Sequence, residues 1–337
     1  MLIKKRKLIL VLVVLSAILL VSAGCGGPGQ ETTTTTTQRI SVATGGTGGT
    51  YYPYGGTVAS IINKYVPGLE ASAEVTGASV ENSRLIEQDE AQLALVMDDV
   101  VYHALHAEGA FDHVIELRTL FEMYPHFLHI AVHDGSPIKT LDDLVGKKVS
   151  VGAPGSGTET MTNQVFDALG LTYDEFEVFR LSFTENTEAL RDHVIDAGVW
   201  SVGPPTSSIM DLATTHKIRI LGFDEQQLAT VTEKYPYYLS MTLKGGTYQG
   251  VDDDITAPSN WNSVVVSKDM PEEQAYEIVK AIFEHKDELE QVYTGASWTT
   301  PENTLEFAIA PLHPGVVRYF KEIGLEVPDG LIPPEMQ

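Results

Sequence analysis

Hydrophobic and polar positions along the chain follow two periods, one typical of strands and one typical of helices. Short apolar runs at 39–43 (RISVA) and 93–97 (LALVM) predict strands, whereas residues 54–66 place apolar side chains at helical spacing. The same alternation continues downstream in the segments KVSVGAP, TETMTNQVFDALG, FEVFRLSF, NTEALRDHV and DAGVWSV. This pattern predicts an α/β fold with largely parallel strands.

A longer apolar stripe follows Asp269 and predicts a helix that packs on a core. Pro271 is suited to the first helical position, and Asp269 with Glu272 has the spacing of a capping box. We expect this helix to have a structural role, because its apolar stripe carries no candidate catalytic side chain.

The order of strand, Gly-rich loop and helix occurs twice in the sequence. ISVATGGTGGTYYP is followed later by VSVGAPGSGTETM, and ENSRLIEQDEAQLALVMDD has a counterpart in ENTEALRDHVIDAGVWSVG. Two such repeats predict two similar lobes. Ligands in open α/β sheets bind at the carboxyl ends of strands, so two facing lobes would form a cleft between them.

The two Gly-rich loops have the chemistry of an anion site. Glycines let backbone N–H groups approach a ligand closely, threonine hydroxyls add donors, and each following helix directs its positive end at the loop. The first loop contains Gly45, Gly46, Thr47, Gly48, Gly49 and Thr50, and the second contains Gly155, Ser156, Gly157 and Thr158. A carboxylate or a phosphate is the predicted guest.

Composition and charge narrow the classes of function. The chain has 337 residues, of which 43% are apolar and 20% are charged, values typical of a globular protein with two modest domains or one large one. A single cysteine excludes an intrachain disulfide and a Cys-rich zinc site. The formal charge of −24 argues against a nucleic-acid partner, because phosphate backbones are bound by Lys- and Arg-rich surfaces.

The N-terminus has the layout of an export signal over residues 1–24. Basic residues at 4–7 precede an apolar run at 8–21, and small residues follow at 22–24. A permanent membrane helix is the alternative, but the run is shorter than the roughly 20 residues that span a bilayer. The protein is therefore expected to be exported.

Cys25 directly follows this signal. SAGC resembles a bacterial lipobox, which implies lipidation of Cys25 and a lipid anchor on the outer face of the membrane as the only membrane contact. The alternative is an ordinary signal and a periplasmic protein. Residues 25–38 are rich in Thr and Gly, and we expect them to form a disordered tether.

Other ligand and catalytic motifs are absent from the sequence. Neither Gly-rich loop is followed by a Walker lysine, GxGxxG is not matched, and Ser156 does not lie in a GxSxG motif. The segment HFLHIAVH alternates like a strand, so His126, His129 and His133 are predicted to form a polar strand face instead of a metal site. Residues 252–254 are predicted to be a solvated acidic loop. No metal, cofactor or catalytic residue is expected.

Several motifs together resemble one family. The segments GTGGTYYPYGG, SVEN, LALVMDDV, GKKVSVGAPGSGTE, LSFTENTEAL and APLHPG are similar to those of TAXI proteins, the extracytoplasmic solute receptors of TRAP transporters. The resemblance implies a type II periplasmic-binding-protein fold: two α/β lobes with a hinge and an interlobe ligand cleft. By analogy the chain crosses between lobes near residues 130 and 240, which gives lobe 1 as 39–130 plus 241–337 and lobe 2 as 131–240.

The same resemblance implies partners and a site. The partners are TRAP membrane permease subunits and a small carboxylate such as glutamate, glutamine or 2-oxoglutarate, bound by a monomer. The implied ligand-binding residues are Thr47, Gly48, Gly49, Thr50, Tyr51, Met97, Asp98, Gly155, Ser156, Gly157, Thr158, Trp200, Ser201, Val202 and Gly203. Family members often carry Gln at the position of Met97 and an aromatic-Thr-Ala-Gly run at 200–203, so these departures leave the ligand's identity open.

Three functions follow as hypotheses. The first is a TRAP receptor in which the Thr50 and Thr158 hydroxyls hold the carboxylate and Tyr51 and Trp200 form the walls of the cleft. The second is a receptor of an ABC importer or a sensor system with the same fold. The third, a secreted enzyme, would need a nucleophile–base pair or a metal cluster at the loop ends, and the sequence offers neither.

Overall fold

The computed structural model describes residues 37–337. The predicted export signal, Cys25 and the predicted tether up to residue 36 lie outside the described residues. The first strand begins at Gln38, the last residue assigned to the tether from sequence. Within 37–337 no helix combines the length and the apolar character needed to cross a membrane.

Twelve strands and eleven α-helices form in this part of the chain. The strands are β1 (Gln38–Ala43), β2 (Leu69–Glu74), β3 (Leu93–Met97), β4 (Leu117–Glu122), β5 (His126–His133), β6 (Lys148–Ser150), β7 (Glu177–Phe179), β8 (Ala197–Val202), β9 (Ile218–Ile220), β10 (Leu239–Leu243), β11 (Ile255–Asn260) and β12 (Asn262–Ser267). The helices are α1 (Tyr51–Tyr65), α2 (Ser79–Glu87), α3 (Asp98–His106), α4 (Gly157–Ala168), α5 (Phe183–Arg191), α6 (Ser207–Thr215), α7 (Glu225–Lys234), α8 (Glu272–Glu284), α9 (Lys286–Val292), α10 (Pro301–Phe307) and α11 (Pro314–Glu322).

The strands form two sheets, which confirms the predicted α/β class. One sheet has the order β2-β1-β3-β12-β4, and the other has the order β10-β11-β5-β8-β6-β7 with β9 paired to β5. We call the part built on the first sheet lobe 1 and the part built on the second sheet lobe 2. This is the two-lobe architecture of a type II periplasmic binding protein.

The predicted internal repeat is present in the pairing of the strands. In lobe 1, β1 pairs in parallel with β2 and β3, and in lobe 2, β6 pairs in parallel with β7 and β8. An antiparallel strand then lies beside each unit, β12 next to β3 and β5 next to β8. Each lobe therefore presents the carboxyl ends of three parallel strands at one edge.

The two Glu-Asn pairs found in sequence have matching roles. Glu81 accepts a hydrogen bond from Gly77 N, and Asn82 Nδ2 donates to the Leu95 carbonyl of β3. Asn186 Nδ2 likewise donates to the carbonyl of Val199 in β8, and the Glu185 side chain caps the N-terminus of α5. Each pair thus fixes the start of a helix to the central strand of its lobe.

The sheets are less parallel than the sequence predicted. β12 runs antiparallel to both β3 and β4, and β5 runs antiparallel to β8, β9 and β11. Alternating or apolar runs indicate a strand but carry no sign of its direction. The sheets are mixed because β5 and β12, the strands that follow the two interlobe crossings, run antiparallel to the neighbouring strands of the repeated units.

The chain changes sheet at 123–125, between β4 and β5, and at Trp261, between β11 and β12. Residue 130 lies inside β5 and residue 240 lies inside β10, so the boundaries expected by analogy do not coincide with the changes of sheet. With the lobes defined by their sheets, the chain passes from lobe 1 to lobe 2 at 123–125 and returns at Trp261.

The helix predicted after Asp269 is α8. Its apolar stripe is buried, with Ile278, Val279 and Ile282 fully covered. The predicted capping box is wrong: the residue preceding the helix is Pro271, and the N-terminus of α8 receives no side-chain hydrogen bond. Asp269 instead lies in the preceding turn, where it pairs with Lys268 at 2.8 Å.

Candidate functional site

A cavity of about 420 Å³ lies between the two sheets, within the size range of small-molecule sites. Both lobes contribute to its lining through loops that follow parallel strands and through the first residues after the two changes of sheet. The lining residues are Gly45, Gly46, Thr47, Gly48, Gly49, Thr50, Tyr51, Val75, Thr76, Gly77, Ala78, Ser79, Met97, His126, Ala153, Ser156, Gly157, Thr158, Leu181, Ser182, Phe183, Thr184, Ser201, Val202, Gly203 and Asn262.

Four helices begin at this cavity, two from each lobe. The first residues of α1 and α2 line it from lobe 1, and those of α4 and α5 line it from lobe 2. The N-terminus of a helix carries a partial positive charge and unpaired N–H groups, so it favours an anion. Four such ends around one cavity produce a positive potential without a charged side chain.

The two lobes cap these helices differently. In lobe 2, Ser156 Oγ accepts from Glu159 N, and Ser182 Oγ accepts from Glu185 N. In lobe 1, neither α1 nor α2 receives a side-chain cap. The first turn of α1 can therefore offer N–H groups to another partner, whereas Val80 N and Glu81 N in the first turn of α2 already bond the Gly155 carbonyl of lobe 2.

Charged side chains are absent from the lining among the residues that the structure describes. The polar groups are hydroxyls, backbone N–H groups, the amide of Asn262 and the imidazole of His126. Asn262 is held in place because its Oδ1 accepts from Tyr51 OH at 2.6 Å and its Nδ2 donates to the Tyr124 carbonyl at 2.7 Å. A ligand in this cavity must therefore be recognised by neutral hydrogen-bond donors and by the helix N-termini.

The lobes touch across the mouth of the cavity. The Gly155 carbonyl in lobe 2 accepts from the N–H groups of Val80 and Glu81 at 3.2 and 3.4 Å. The Gly48 carbonyl in lobe 1 accepts from the hydroxyls of Thr206 and Ser207, both at 3.3 Å. A carbonyl of each Gly-rich loop thus accepts hydrogen bonds from the opposite lobe, and the structure is in a closed arrangement.

Most residues predicted for the site lie together in this cavity. Gly48 and Gly157, one from each repeat, share it, as do Met97 and Ser201 at the strand ends. The predicted residues that line the cavity are Thr47, Gly48, Gly49, Thr50, Tyr51, Met97, Ser156, Gly157, Thr158, Ser201, Val202 and Gly203. Their role in binding remains a prediction.

Three predicted residues, Asp98, Gly155 and Trp200, do not line the cavity. Trp200 was predicted to form a wall, but its side chain is fully buried and packs beside Gly198 and Asn186 on the side of the sheet that α5 covers. Successive strand residues point to opposite faces, so Trp200 and Ser201 lie on opposite sides of β8, and Val202 reaches the cavity as the last residue of the strand. Gly155 joins the lobes instead.

Asp98, which follows the lining residue Met97, belongs to a buried carboxyl pair. Ser263 Oγ lies 2.6 Å from both Asp98 Oδ1 and Glu122 Oε1, and the second Glu122 oxygen has no partner. Burial raises the pKa of Asp98 well above its usual range and raises the pKa of Glu122 to about 7. The pair joins the ends of β3 and β4 to the start of β12, next to both changes of sheet.

Two loops that line the cavity were not among the site residues predicted from the sequence. These are 75–79, between β2 and α2, and 181–184, between β7 and α5. The repeated Glu-Asn pair was a signal that could have found them, because each pair lies in the first turn of a helix that begins at the cavity.

The predicted strand HFLHIAVH is β5, but its histidines do not form a polar surface. His126 and His129 are buried, and burial lowers their pKa values to about 3 and about 4. His126 lines the cavity, whereas His129 is bonded to the Phe127 carbonyl and lies 3.1 Å from Tyr248 OH.

The other candidate metal ligands also stay apart. Within residues 37–337 no group of three His, Cys, Asp or Glu side chains is arranged to hold a metal ion. Residues 252–254 form an exposed loop, where Asp254 pairs with Lys244 at 2.8 Å.

Two lobes that enclose a cavity between their strand ends define the fold of the periplasmic binding proteins. The chain belongs to the NMT1-like family, which matches residues 42–324.

Solved structures share this fold at low identity. A protein from Bordetella bronchiseptica RB50 is 18% identical with a TM-score of 0.50, covering 88% of this chain and 85% of that chain. The periplasmic aliphatic sulphonate binding protein SsuA from Escherichia coli is 16% identical with a TM-score of 0.45, covering 87% and 94%. The ligand-binding component of an ABC-type import system from Staphylococcus aureus is 13% identical with a TM-score of 0.48, covering 89% and 97%.

Proposed function

We propose that the protein is an extracytoplasmic solute receptor that captures a small carboxylate and delivers it to a membrane transporter. The observation that carries this proposal is the convergence of four helix N-termini on one closed interlobe cavity. A ligand that contacts both lobes favours the closed arrangement, and a transporter can recognise that arrangement. No catalytic role is proposed for any lining residue.

The carboxylate would bind through neutral donors. The Thr50 and Thr158 hydroxyls, one from each lobe, lie in the lining beside the starts of α1 and α4. Hydrogen bonds to a charged group contribute about 1.5–3 kcal/mol each, so a few of them with the helix ends can hold one carboxylate without Arg or Lys.

Removing both hydroxyls tests this assignment. We expect the double variant Thr50→Ala, Thr158→Ala to weaken carboxylate binding by at least about 100-fold, because two charge-assisted hydrogen bonds are lost. Isothermal titration against glutamate, glutamine and 2-oxoglutarate measures the change. The matched control is Thr57→Ala, Thr160→Ala, which removes two hydroxyls from the same helices outside the cavity lining. Equal affinity of both double variants would refute the assignment.

Two classes of membrane transporter are candidates for the partner of this receptor. The proposal of a TRAP permease rests on the sequence motifs alone. The Staphylococcus aureus neighbour, by contrast, is named as a component of an ABC-type import system. Uptake of labelled ligand by membrane vesicles from the source organism, with the purified receptor added, separates them. Uptake driven by an ion gradient without ATP supports a TRAP system, and uptake that requires ATP supports an ABC importer.

The location follows from the N-terminal sequence. An export signal and Cys25 in a lipobox-like segment support a receptor held at the outer face of the membrane by a lipid. Mass spectrometry of the mature N-terminus distinguishes a lipidated Cys25 from an unmodified terminus released into the periplasm.

A further inference from the structure

His126 is the imidazole in the cavity lining, and one of its nitrogens has no hydrogen-bond partner. The residue is the first of β5, directly after the 123–125 crossing, and its side chain is 1% exposed. Its Nδ1 atom is buried without a partner. A buried polar group without a hydrogen-bond partner is unfavourable, so a bound ligand is a natural partner for it.

The contact of the other nitrogen identifies the tautomer. His126 Nε2 lies 3.3 Å from Met161 Sδ, and a thioether sulfur can only accept, so Nε2 carries the proton. Ser201 Oγ donates to the same sulfur at 3.1 Å. Burial lowers the pKa of His126 to about 3, which keeps the ring neutral at physiological pH. Nδ1 therefore presents a lone pair and needs a donor.

The residues that line the cavity restrict which hydrogen-bond donor a ligand can present to His126 Nδ1. An ammonium group would be buried without a countercharge, because no Asp or Glu side chain lines the cavity among the described residues. A 2-oxo group offers only acceptor lone pairs and would face the lone pair of Nδ1. A hydroxyl carries no charge and can donate a hydrogen bond to Nδ1, so it avoids the problems of both the ammonium and the oxo group.

We propose that the cavity selects a hydroxycarboxylate, whose carboxylate lies at the helix N-termini and whose hydroxyl donates to His126 Nδ1. This inference rests on the proposed function and narrows its ligand class from carboxylates in general to hydroxy acids. His126 is then the residue that determines specificity, and the carboxylate end is shared by all candidate ligands.

Matched acids test the selection. Isothermal titration compares the 2-hydroxy, 2-amino and 2-oxo acids of three carbons (lactate, alanine, pyruvate), of four carbons (2-hydroxybutyrate, 2-aminobutyrate, 2-oxobutyrate) and of five carbons with two carboxylates (2-hydroxyglutarate, glutamate, 2-oxoglutarate), with both enantiomers of each chiral acid. In the best-bound set we expect the hydroxy acid to bind at least about tenfold more tightly than both analogues, because a site built for a hydroxyl rejects analogues without it.

Variants of the imidazole then identify the residue responsible. His126→Leu removes the acceptor, and we expect the preference for the hydroxy acid to fall to about twofold or less. His126→Gln keeps an acceptor in its amide oxygen and should retain part of the preference, with a smaller change in packing. The matched control is His129→Gln, a buried histidine of the same strand outside the lining, which should leave the ratio of affinities unchanged. Thermal unfolding of each variant reports whether it folds.

The outcomes separate this inference from the proposed function. A hydroxy-acid preference that His126→Leu removes and His129→Gln retains supports it. Equal or tighter binding of an amino or oxo acid, or a preference that survives His126→Leu, overturns the role of His126 and leaves a carboxylate receptor. Binding of none of these acids overturns the proposed function and the inference together.

Discussion

We expect Gly157→Val to weaken ligand binding about 10- to 100-fold while the unliganded protein stays folded. Gly157 begins α4 in lobe 2, and a Cβ there would collide with Met97 Sδ and lie 2.8 Å from Ser79 Oγ, both in lobe 1. A valine keeps the lobes apart, and forced overpacking typically costs about 1–3 kcal/mol. This cost destabilises the closed state alone, so the affinity for the ligand falls by the factor that corresponds to this free energy.

Titration calorimetry gives the affinity, and small-angle X-ray scattering with and without ligand gives the extent of closure. The matched control is Gly56→Val, the same exchange in α1, where an added Cβ meets no atom within 4 Å. The control should bind and close like the wild type. Wild-type affinity in Gly157→Val would show that ligand binding does not require the approach of these two loops.

The repeated units of the fold could be predicted from local sequence. The strand, Gly-rich loop and helix around Gly48 and Gly157 recur with the same hydrophobic periods, and both occurrences form as expected. Periodicity reports which residues face a core, and it does so independently of the rest of the chain. The direction of β5 and β12 depends on which distant strands they meet, so the antiparallel pairs were not predicted.

The site was predictable where backbone chemistry dominates. Glycine and threonine in the loops indicated an anion site without knowledge of side-chain direction, and all of these loop residues except Gly155 line the cavity. Trp200 was misplaced because the face to which a strand residue points depends on register, which a family motif does not fix. The unpaired nitrogen of His126 could not be predicted either, since it depends on the contact of the ring with Met161 from α4.

A further large effect concerns the buried carboxyl pair: Glu122→Gln should stabilise the protein at pH 8. The Ser263 hydroxyl has one proton and contacts both Asp98 Oδ1 and Glu122 Oε1 at 2.6 Å, so one carboxyl must carry a proton. Neither carboxyl takes part in an ion pair among the described residues. Glutamine has the same shape and supplies the donor without requiring protonation.

The dependence on pH follows from the raised pKa. The pKa of Glu122 is about 7 in the folded protein, above its ordinary value of 4.5, because burial disfavours the charged form. Below pH 4.5 both states hold the proton, and between pH 4.5 and 7 only the folded state does. The contribution of Glu122 to wild-type stability therefore falls as pH rises through this window, by on the order of 3 kcal/mol, and stays lower above it. The Glu122→Gln variant does not lose this stability, because glutamine does not ionise.

Urea unfolding of both proteins at pH 5 and at pH 8 measures the difference in free energy of unfolding. We expect Glu122→Gln to gain less than about 1 kcal/mol at pH 5 and about 3 kcal/mol at pH 8. Glu116→Gln, a change at an exposed site, is the matched control and should stay within about 0.5 kcal/mol at both values. A Glu122→Gln effect of the same size at pH 5 and pH 8 would mean that Glu122 is already ionised in the folded protein at pH 5, and the shared proton would then belong to Asp98 alone.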